Sequence, residues 1–349
     1  MGYDETSYIA ESVRKGHPDK ICDQISDALV DAFLHEDCNC HTAIECLGTK
    51  GNVTVAGEIS SEMGDFPIED IVRDTYKNIG YEDSILVTNL LSYQARQLNV
   101  ATEAKGANDQ GIVFGYAENS GFNYLPGAAY IANMIAKMID DNFHEIEGLL
   151  PDGKVLVESS GSHIRHVVVN LQHDLTFNSD TLYMKLRDYL STFSKASSAE
   201  IQINKHDGFY EGGFCVDTGL TGRKIMVDTY GGVISHGGGS FSGKDPTKID
   251  RTGAYMARFV AKNIVANGYA QKCTIALAYE FGEQRPTIIW VDTEKENNRA
   301  LTDFVKDKFD FRPFAVIERF DLRHYTFLPT ATYGHFTDCS YPWERIIGL

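Results

Sequence analysis

Hydrophobic positions along the 349-residue chain change their period in a recurring order. Residues 18–35, PDKICDQISDALVDAFLH, bring Ile21, Ile25, Leu29 and Ala32/Phe33 onto one stripe at helical spacing, which predicts an amphipathic helix. Two strand-like runs follow at 42–48 and 52–60, with Lys50-Gly51 as a tight turn between them. A second helix is predicted from Pro67 to Asn78, with proline at its start and Gly80 just past its end. The order then returns: a helix near 126–141, strands at 153–159 and 164–172, and a helix at 180–194. It returns again as a helix over PTKIDRTGAYMARFVAKNIVANG ended by Gly268, strands at 272–281 and 286–293, and a helix near 296–308. This rhythm predicts three similar α+β domains, each an antiparallel sheet with helices on one face, spanning 1–105, 106–220 and 221–349.

The charge balance narrows the partners. A formal net charge of -17 repels polyphosphate at long range, so neither a nucleic-acid coat nor a binder of anionic membranes is expected. Any phosphate site must be a local basic pocket in an acidic body. Seven cysteines without regular spacing fit reduced thiols and a cytoplasmic location. Cys38, Cys40 and His41 lie close together, but no second ligand pair has zinc spacing, which favours buried or loop thiols. No signal peptide or membrane-length apolar run is expected, and MGYDET matches an N-myristoylation pattern without any basic second signal.

Glycine-rich segments carry the candidate chemistry. GGGSFSGKDPTKID (Gly237–Asp250) imitates a P-loop: Gly238, four residues, Gly243, Lys244. A P-loop next needs Ser or Thr for Mg²⁺; this chain has Asp245. Three consecutive glycines let backbone approach a ligand closely. Lys244 and Lys248, four apart, would face one pocket if the segment turned helically, and Asp250 suits Mg²⁺ as a hard oxygen ligand. In KGHPDKICDQISD, His17 precedes Pro18 at a helix start, where free N–H groups suit an anion; Asp19 can cap the helix or hold a metal, and Lys20 adds a mobile positive charge. His17 there can donate a proton or hydrogen bond to a leaving oxygen. The competing reading is a capped helix whose Asp19, Asp23, Asp27 and Asp31 form a solvated acidic face. GLTGRKIMVDTYGG places Arg223 and Lys224 at the entry of a strand, between turn glycines and flanked by Asp217 and Asp228. Glu45 and Glu58 interrupt apolar strands, and a wet sheet face is the plain account of both.

Taken in order, GHPDKI, GANDQGIVFGYA, GLTGRKIMVDTYGG, GGGSFSGKDPTKIDRTGAYMAR and the tail YGHF…PWE closely resemble the S-adenosylmethionine synthetase family, from ESV at 11 to PWE at 342. The resemblance implies a pseudo-threefold arrangement of the three domains. It also implies attack of methionine sulfur on C5′ of ATP, expulsion of the whole tripolyphosphate, and its hydrolysis to pyrophosphate and phosphate. Neutralising a polyphosphate along its length calls for spread cations rather than a P-loop hydroxyl. The family roles fall on His17 at the departing O5′, with Lys154, Arg223, Lys224 and Lys244 also catalytic and with two Mg²⁺ ions on Asp19 and Asp250. Glu45 matches a position that helps bind an activating K⁺. Asp152, Lys154, Phe209, Asp217 and Ser240 join the ATP-binding set, Phe209 beside adenine; Glu58, Gln97, Asp109, Asp217 and Lys248 match methionine contacts. A homodimer or dimer of dimers is implied, with active sites at the subunit interface.

The chain departs from the family pattern in places. Arg14 and Lys15 stand where Thr/Ser-Glu is common, Asn108 where glycine is, Ser240 where alanine is, and Gly208 where arginine is. The stretch between Gln97 and Gly106, the mobile active-site loop of the family, is short. Two other classes remain open on the residues: an ATPase or kinase using the same phosphate pocket, which would release ADP, and a non-catalytic nucleotide sensor. The sensor is disfavoured because His17, Asp19, Lys244, Lys248 and Asp250 are all present.

Overall fold

Each helix–hairpin–helix unit forms where the periodicity puts it. The computed structural model describes residues 7–60, 66–93, 106–161, 163–206 and 208–349. Its strands are β1 (Ser7–Val13), β2 (Thr42–Thr49), β3 (Asn52–Ile59), β4 (Leu86–Tyr93), β5 (Gly111–Glu118), β6 (Leu149–Ser160), β7 (His163–His173), β8 (Glu200–Ile203), β9 (Gly219–Leu220), β10 (Lys272–Tyr279) and β11 (Ile288–Thr293). The three hairpins are β2–β3, β6–β7 and β10–β11, each antiparallel. Helices Pro18–Glu36, Gly127–Asp141 and Ile249–Ala266 precede them; Ile68–Ile79, Ser179–Ser191 and Arg299–Lys308 follow. Lys50 and Gly51 both take positive φ (41° and 75°), the backbone of a two-residue hairpin turn. Gly80 ends its helix in the left-handed conformation at φ 118°, where a Cβ would be strained.

Two of the three sheets are mixed, which corrects the expectation of antiparallel sheets. β4 runs parallel to β3, and β8 parallel to β7. In each case the helix after the hairpin carries the chain back to the same edge, and a crossover of that kind delivers a parallel strand. Among the described residues the third unit has no return strand, so its sheet, β11-β10-β5, stays antiparallel.

The first strand of every hairpin also gains an outer neighbour from elsewhere in the chain. β1, which precedes the first unit, pairs with β6 of the second. β5, which precedes the second unit, pairs with β10 of the third. β9, which precedes the third, pairs with β2 of the first. All three added strands are antiparallel to their partners. The exchange is cyclic, each unit lending one strand onward, and it gives the three α+β domains their pseudo-threefold relation.

Three hydrophobic clusters lie between the sheets and their helices, one per unit. The helix Ile249–Ala266 is buried over nearly its whole length and carries Arg251, Arg258 and Lys262 inside with it. Buried charges need partners. Glu344 of the PWE tail supplies one: it receives Arg258 at 2.8 Å and Lys262 at 2.7 Å, while the adjoining Trp343 stacks on Tyr255 at 3.8 Å. The opposite sheet faces stay open and keep apolar side chains exposed: Leu47, Leu86 and Leu90 on the first sheet, Ile9 and Leu156 on the second, Ile112, Ile288 and Trp290 on the third.

Candidate active site

His17 is the N-cap of the helix Pro18–Glu36, and its Nδ1 accepts the Asp19 N–H at 3.2 Å. Burial, then the positive charges of Lys224 and Lys154, push its pKa down to about 3 against the pull of Asp19. The imidazole is therefore neutral at physiological pH. With Nδ1 accepting, the proton sits on Nε2, and His17 is a hydrogen-bond donor through that atom. Asp19 accepts the Leu220 N–H at 3.1 Å and Lys224 Nζ at 2.5 Å, with Arg223 Nε at 3.6 Å. Burial raises the pKa of Asp19, but the Lys224 hydrogen bond and charge outweigh it, so the carboxylate is held below its usual range. Lys154 stands on the open face of its sheet, paired across from Val13. His17, Asp19, Lys154, Arg223 and Lys224 thus form one cationic cluster around a neutral donor.

Lys20 is not a mobile charge. It is fully buried and held by Asp23 at 2.9 Å and by Asp228. Nor do Arg223 and Lys224 enter a strand: Lys224 caps a one-turn helix, Ile225–Asp228. The apolar run IMV suggested a strand, but Val227 and Asp228 both have to turn inward, and one helical turn places Asp228 on Lys20.

The acidic stripe of the first helix is buried rather than solvated, and it receives backbone N–H groups in sequence. Asp19 takes Leu220, Asp23 takes Gly222 at 2.8 Å, Asp27 takes Gly243 at 2.9 Å, and Asp31 takes Phe327 and Leu328 at 2.7 and 2.8 Å. Arg251 closes on Asp27 at 2.6 Å. One helix face therefore fixes the RK segment, the glycine loop and the C-terminal stretch in steps of about 6 Å, the rise of four helical residues between successive acids.

The glycine loop is not a P-loop. Lys244 forms an isolated bridge with Ala43 of β2, and the helix begins only at Ile249. Lys244 and Lys248 consequently do not share a helical face: Lys244 pairs with Asp250 at 2.5 Å, and buried Lys248 pairs with Asp245 at 2.7 Å. Asp245, where a P-loop has its hydroxyl, accepts the N–H groups of Thr42 and Thr247 at 2.8 Å each, fastening the loop to β2. Gly239 lets the loop pass close to Asp250, since a Cβ there would lie 2.1 Å from Asp250 Oδ1 and displace that carboxylate. Ser240 packs where a Cβ on Gly222 would lie 2.5 Å away, so the loop abuts the RK turn. Asn108 accepts the Ile249 N–H at 3.0 Å and brings exposed Asp109 toward this second cluster.

The remaining expected residues are more dispersed. Asp152 is buried, with its carboxylate accepting the Gly153 and Gly213 N–H groups at 2.7 and 2.9 Å. Phe209 is half-buried, and its carbonyl accepts the His173 N–H at 3.0 Å; Asp217 is exposed and caps Thr218. Glu45 and Glu58 both lie on the open face of the first sheet, as diagonal neighbours, because Glu45 is in register with Ala56 and Glu58 with Ala43. Gln97 and the short loop after it lie outside the described residues. Asp19 and Asp250 are hard oxygen donors, and Mg²⁺ takes one or two carboxylates together with substrate phosphates, so the donor set suits an ion arriving with the nucleotide. Among the described residues no three His, Cys, Asp or Glu side chains converge as a metal cage.

Comparison with known proteins agrees along the whole chain. Residues 5–106, 104–209 and 211–345 match the N-terminal, central and C-terminal domains of S-adenosylmethionine synthetase. The chain belongs to the S-adenosylmethionine synthetase family. It is 38% identical to S-adenosylmethionine synthase of Staphylococcus epidermidis, covering 99% of this chain and 97% of the relative, and 38% identical to that of Corynebacterium kroppenstedtii, covering 97% and 96%. The solved structure of an "unusual" S-adenosylmethionine synthetase from Campylobacter jejuni superposes with TM-score 0.87 at 30% identity, covering 97% of both chains. The S. epidermidis alignment spans 387 positions against 349 residues here, so this chain lacks segments that the relative has. As a family member it is a transferase, a methionine adenosyltransferase. No helix among the described residues is long and apolar enough to cross a membrane.

Sequence reasoning missed the supporting residues. Asp23, Asp27 and Asp31 were visible as a stripe, but their partners are 199 to 297 residues away in the chain. A stripe of aspartates opposite an apolar stripe, in a chain rich in glycine loops that need N–H acceptors, is the signal that could have found them.

Proposed function

We propose that this methionine adenosyltransferase builds its active site from two half-sites on different subunits. Two observations support it: the charged residues fall into two groups already paired within themselves, Lys224 on Asp19 in one and Lys244 on Asp250 and Lys248 on Asp245 in the other, and the open sheet faces leave apolar side chains exposed for a second copy to cover. Neither cluster alone surrounds an ATP with positive charge. Together they neutralise a tripolyphosphate along its length.

In this reading methionine sulfur attacks C5′, the C5′–O5′ bond breaks, and the electron pair leaves on O5′ with the tripolyphosphate. His17 Nε2–H donates to O5′ as the charge develops. Arg223, Lys224, Lys154 and Lys244 hold the phosphates during departure and during hydrolysis to pyrophosphate and phosphate. Asp19 and Asp250 would hold Mg²⁺, which would supply further positive charge to the departing polyphosphate. Phe209, Asp152, Asp217 and Ser240 line the nucleotide side, and Glu58, Gln97, Asp109, Asp217 and Lys248 the methionine side. The open sheet faces form the interface of a homodimer, or of dimers within a tetramer, because their exposed leucines, isoleucines and tryptophan are otherwise left in water. Glu45 lies on such a face, and a carboxylate buried at an interface requires a cation; K⁺ at Glu45 meets that need.

Mixed dimers test the arrangement. Chains carrying His17→Asn and chains carrying Lys244→Ala are each expected to be nearly inactive. Co-expressed, they form a heterodimer in which one site has both half-sites intact. Recovery of S-adenosylmethionine, phosphate and pyrophosphate, with no ADP, supports the reading when resolved by mass. No recovery from verified heterodimers, or a fully active monomer in light scattering, overturns it.

A further inference from the structure

We propose that Tyr81 is the positioning residue for His17, through a hydrogen bond from its hydroxyl to the carbonyl of Gly16. The inference rests on the reading that His17 faces the leaving oxygen, and it adds a residue outside the set assigned above.

The Tyr81 hydroxyl donates to Gly16 O at 2.7 Å in a buried position. Gly16 C=O and His17 N–H belong to one peptide group. The N–H end of that peptide donates to Arg14 O at 3.0 Å, so the peptide plane is held from both ends. Arg14 is itself fixed, since its own N–H donates to Gly153 O at 2.9 Å and its guanidinium grips Asp140 at 2.6 Å. With the plane fixed and Nδ1 engaged by the Asp19 N–H, the remaining freedom of the imidazole is small, and Nε2 has one direction.

The surroundings of the hydroxyl are built to hold it. The Tyr81 ring stacks on Tyr76 at 5.0 Å, and Tyr76 stacks on Phe214 at 5.6 Å with rings nearly parallel. A Cβ on Gly213 would lie 2.5 Å from the Tyr81 hydroxyl, and a Cβ on Gly16 would lie 2.5 Å from the Pro151 backbone. Gly213 is in turn pinned by Asp152. Three segments distant in sequence therefore pack around this contact: the turn before His17, the Pro151–Gly153 stretch behind Gly16, and the Gly212–Gly213 loop against the hydroxyl. A buried tyrosine needs a partner for its O–H, and here the partner is the peptide that aims the donor.

Tyr81→Phe keeps the ring stack and removes the hydroxyl. A 1 Å misplacement at a reacting centre costs about 10²-fold, and loss of one positioning bond with the Arg14 contact retained should cost roughly tenfold. The expected result is a fall of about tenfold in the single-turnover rate of S-adenosylmethionine formation, with KM for ATP and hydrolysis of added tripolyphosphate within about twofold. A purely structural role would lower both chemical steps together. An independent readout does not depend on activity. In protein labelled with ¹⁵N-histidine, the His17 resonance, assigned by its loss in His17→Asn, should report a single Nε2–H tautomer in the parent chain. In Tyr81→Phe it should broaden or shift. Unchanged His17 resonances in Tyr81→Phe overturn the positioning role whatever the rates. Changed resonances with an unchanged first step retain the contact but refute the reading that His17 serves the leaving oxygen. Should Tyr81→Phe fold poorly, Gly213→Ala, which crowds the hydroxyl while leaving it present, must give the same imbalance between the two steps, and equal losses there overturn the proposal.

Discussion

Replacing His17 with asparagine separates the two chemical steps because the substitution is clean. Asparagine is as good an N-cap as any residue, so its Oδ1 can take over the Asp19 N–H now accepted by Nδ1 at 3.2 Å. What disappears is the Nε2–H donor. Burial and the adjacent lysines hold the imidazole neutral down to about 3, so in the role proposed for His17 the lost interaction would be that of a neutral donor to a developing oxyanion, not a proton transfer from imidazolium. Removing one such donor typically costs about 2.7–4 kcal/mol, or roughly 10²–10³ in rate. Lys154, Arg223 and Lys224 keep their places, so hydrolysis of added tripolyphosphate should hold within about threefold, under 1 kcal/mol. Single-turnover quench with ATP plus methionine measures the first step; tripolyphosphate alone measures the second. The sign of the pH effect follows from the same shift. The unfolded chain binds a proton on His17 below about 6.5 that the folded chain refuses down to about 3, so His17 costs stability as pH falls through that window, and His17→Asn should flatten that acid limb in thermal melts. Equal loss of both activities would mean that His17 and the cations act as one electrostatic unit, and the division of roles would fail.

Arg223→Leu should show the opposite bias, slowing tripolyphosphate hydrolysis more than S-adenosylmethionine formation in the same two assays, because the proposal sets its half-exposed guanidinium on the polyphosphate rather than at O5′; a larger loss in the first step would refute that placement. Glu45→Gln should blunt activation by K⁺ more than it weakens ATP binding, measured as activity against K⁺ concentration and as KM for ATP; full retention of K⁺ activation would remove the cation role from Glu45 and leave it a charge on the open sheet face.

Periodicity along the chain was enough to place the three helix–hairpin–helix units, since the alternation of apolar residues at spacings of two and of three to four is a local property of each segment. The Lys50-Gly51 turn and the Gly80 helix end were equally legible, because positive φ selects residue type locally. The glycine and lysine motifs carried the family and its activity. Long-range pairing decided the rest. Nothing local says that β1 joins the second hairpin, β5 the third and β9 the first, or that the chain returns beside β3 and β7 in parallel. The same holds for the acids of the first helix. A stripe of aspartates looks identical whether water or backbone N–H groups satisfy it, and only the arrival of Leu220, Gly222, Gly243 and Phe327 on that face turns it from a solvated surface into the rail that aligns the site. Lys20 and Lys248 read as pocket charges for the same reason: a sequence shows a charge, but its partner, Asp228 or Asp245, is chosen by packing that excludes water and makes an unpaired charge too costly.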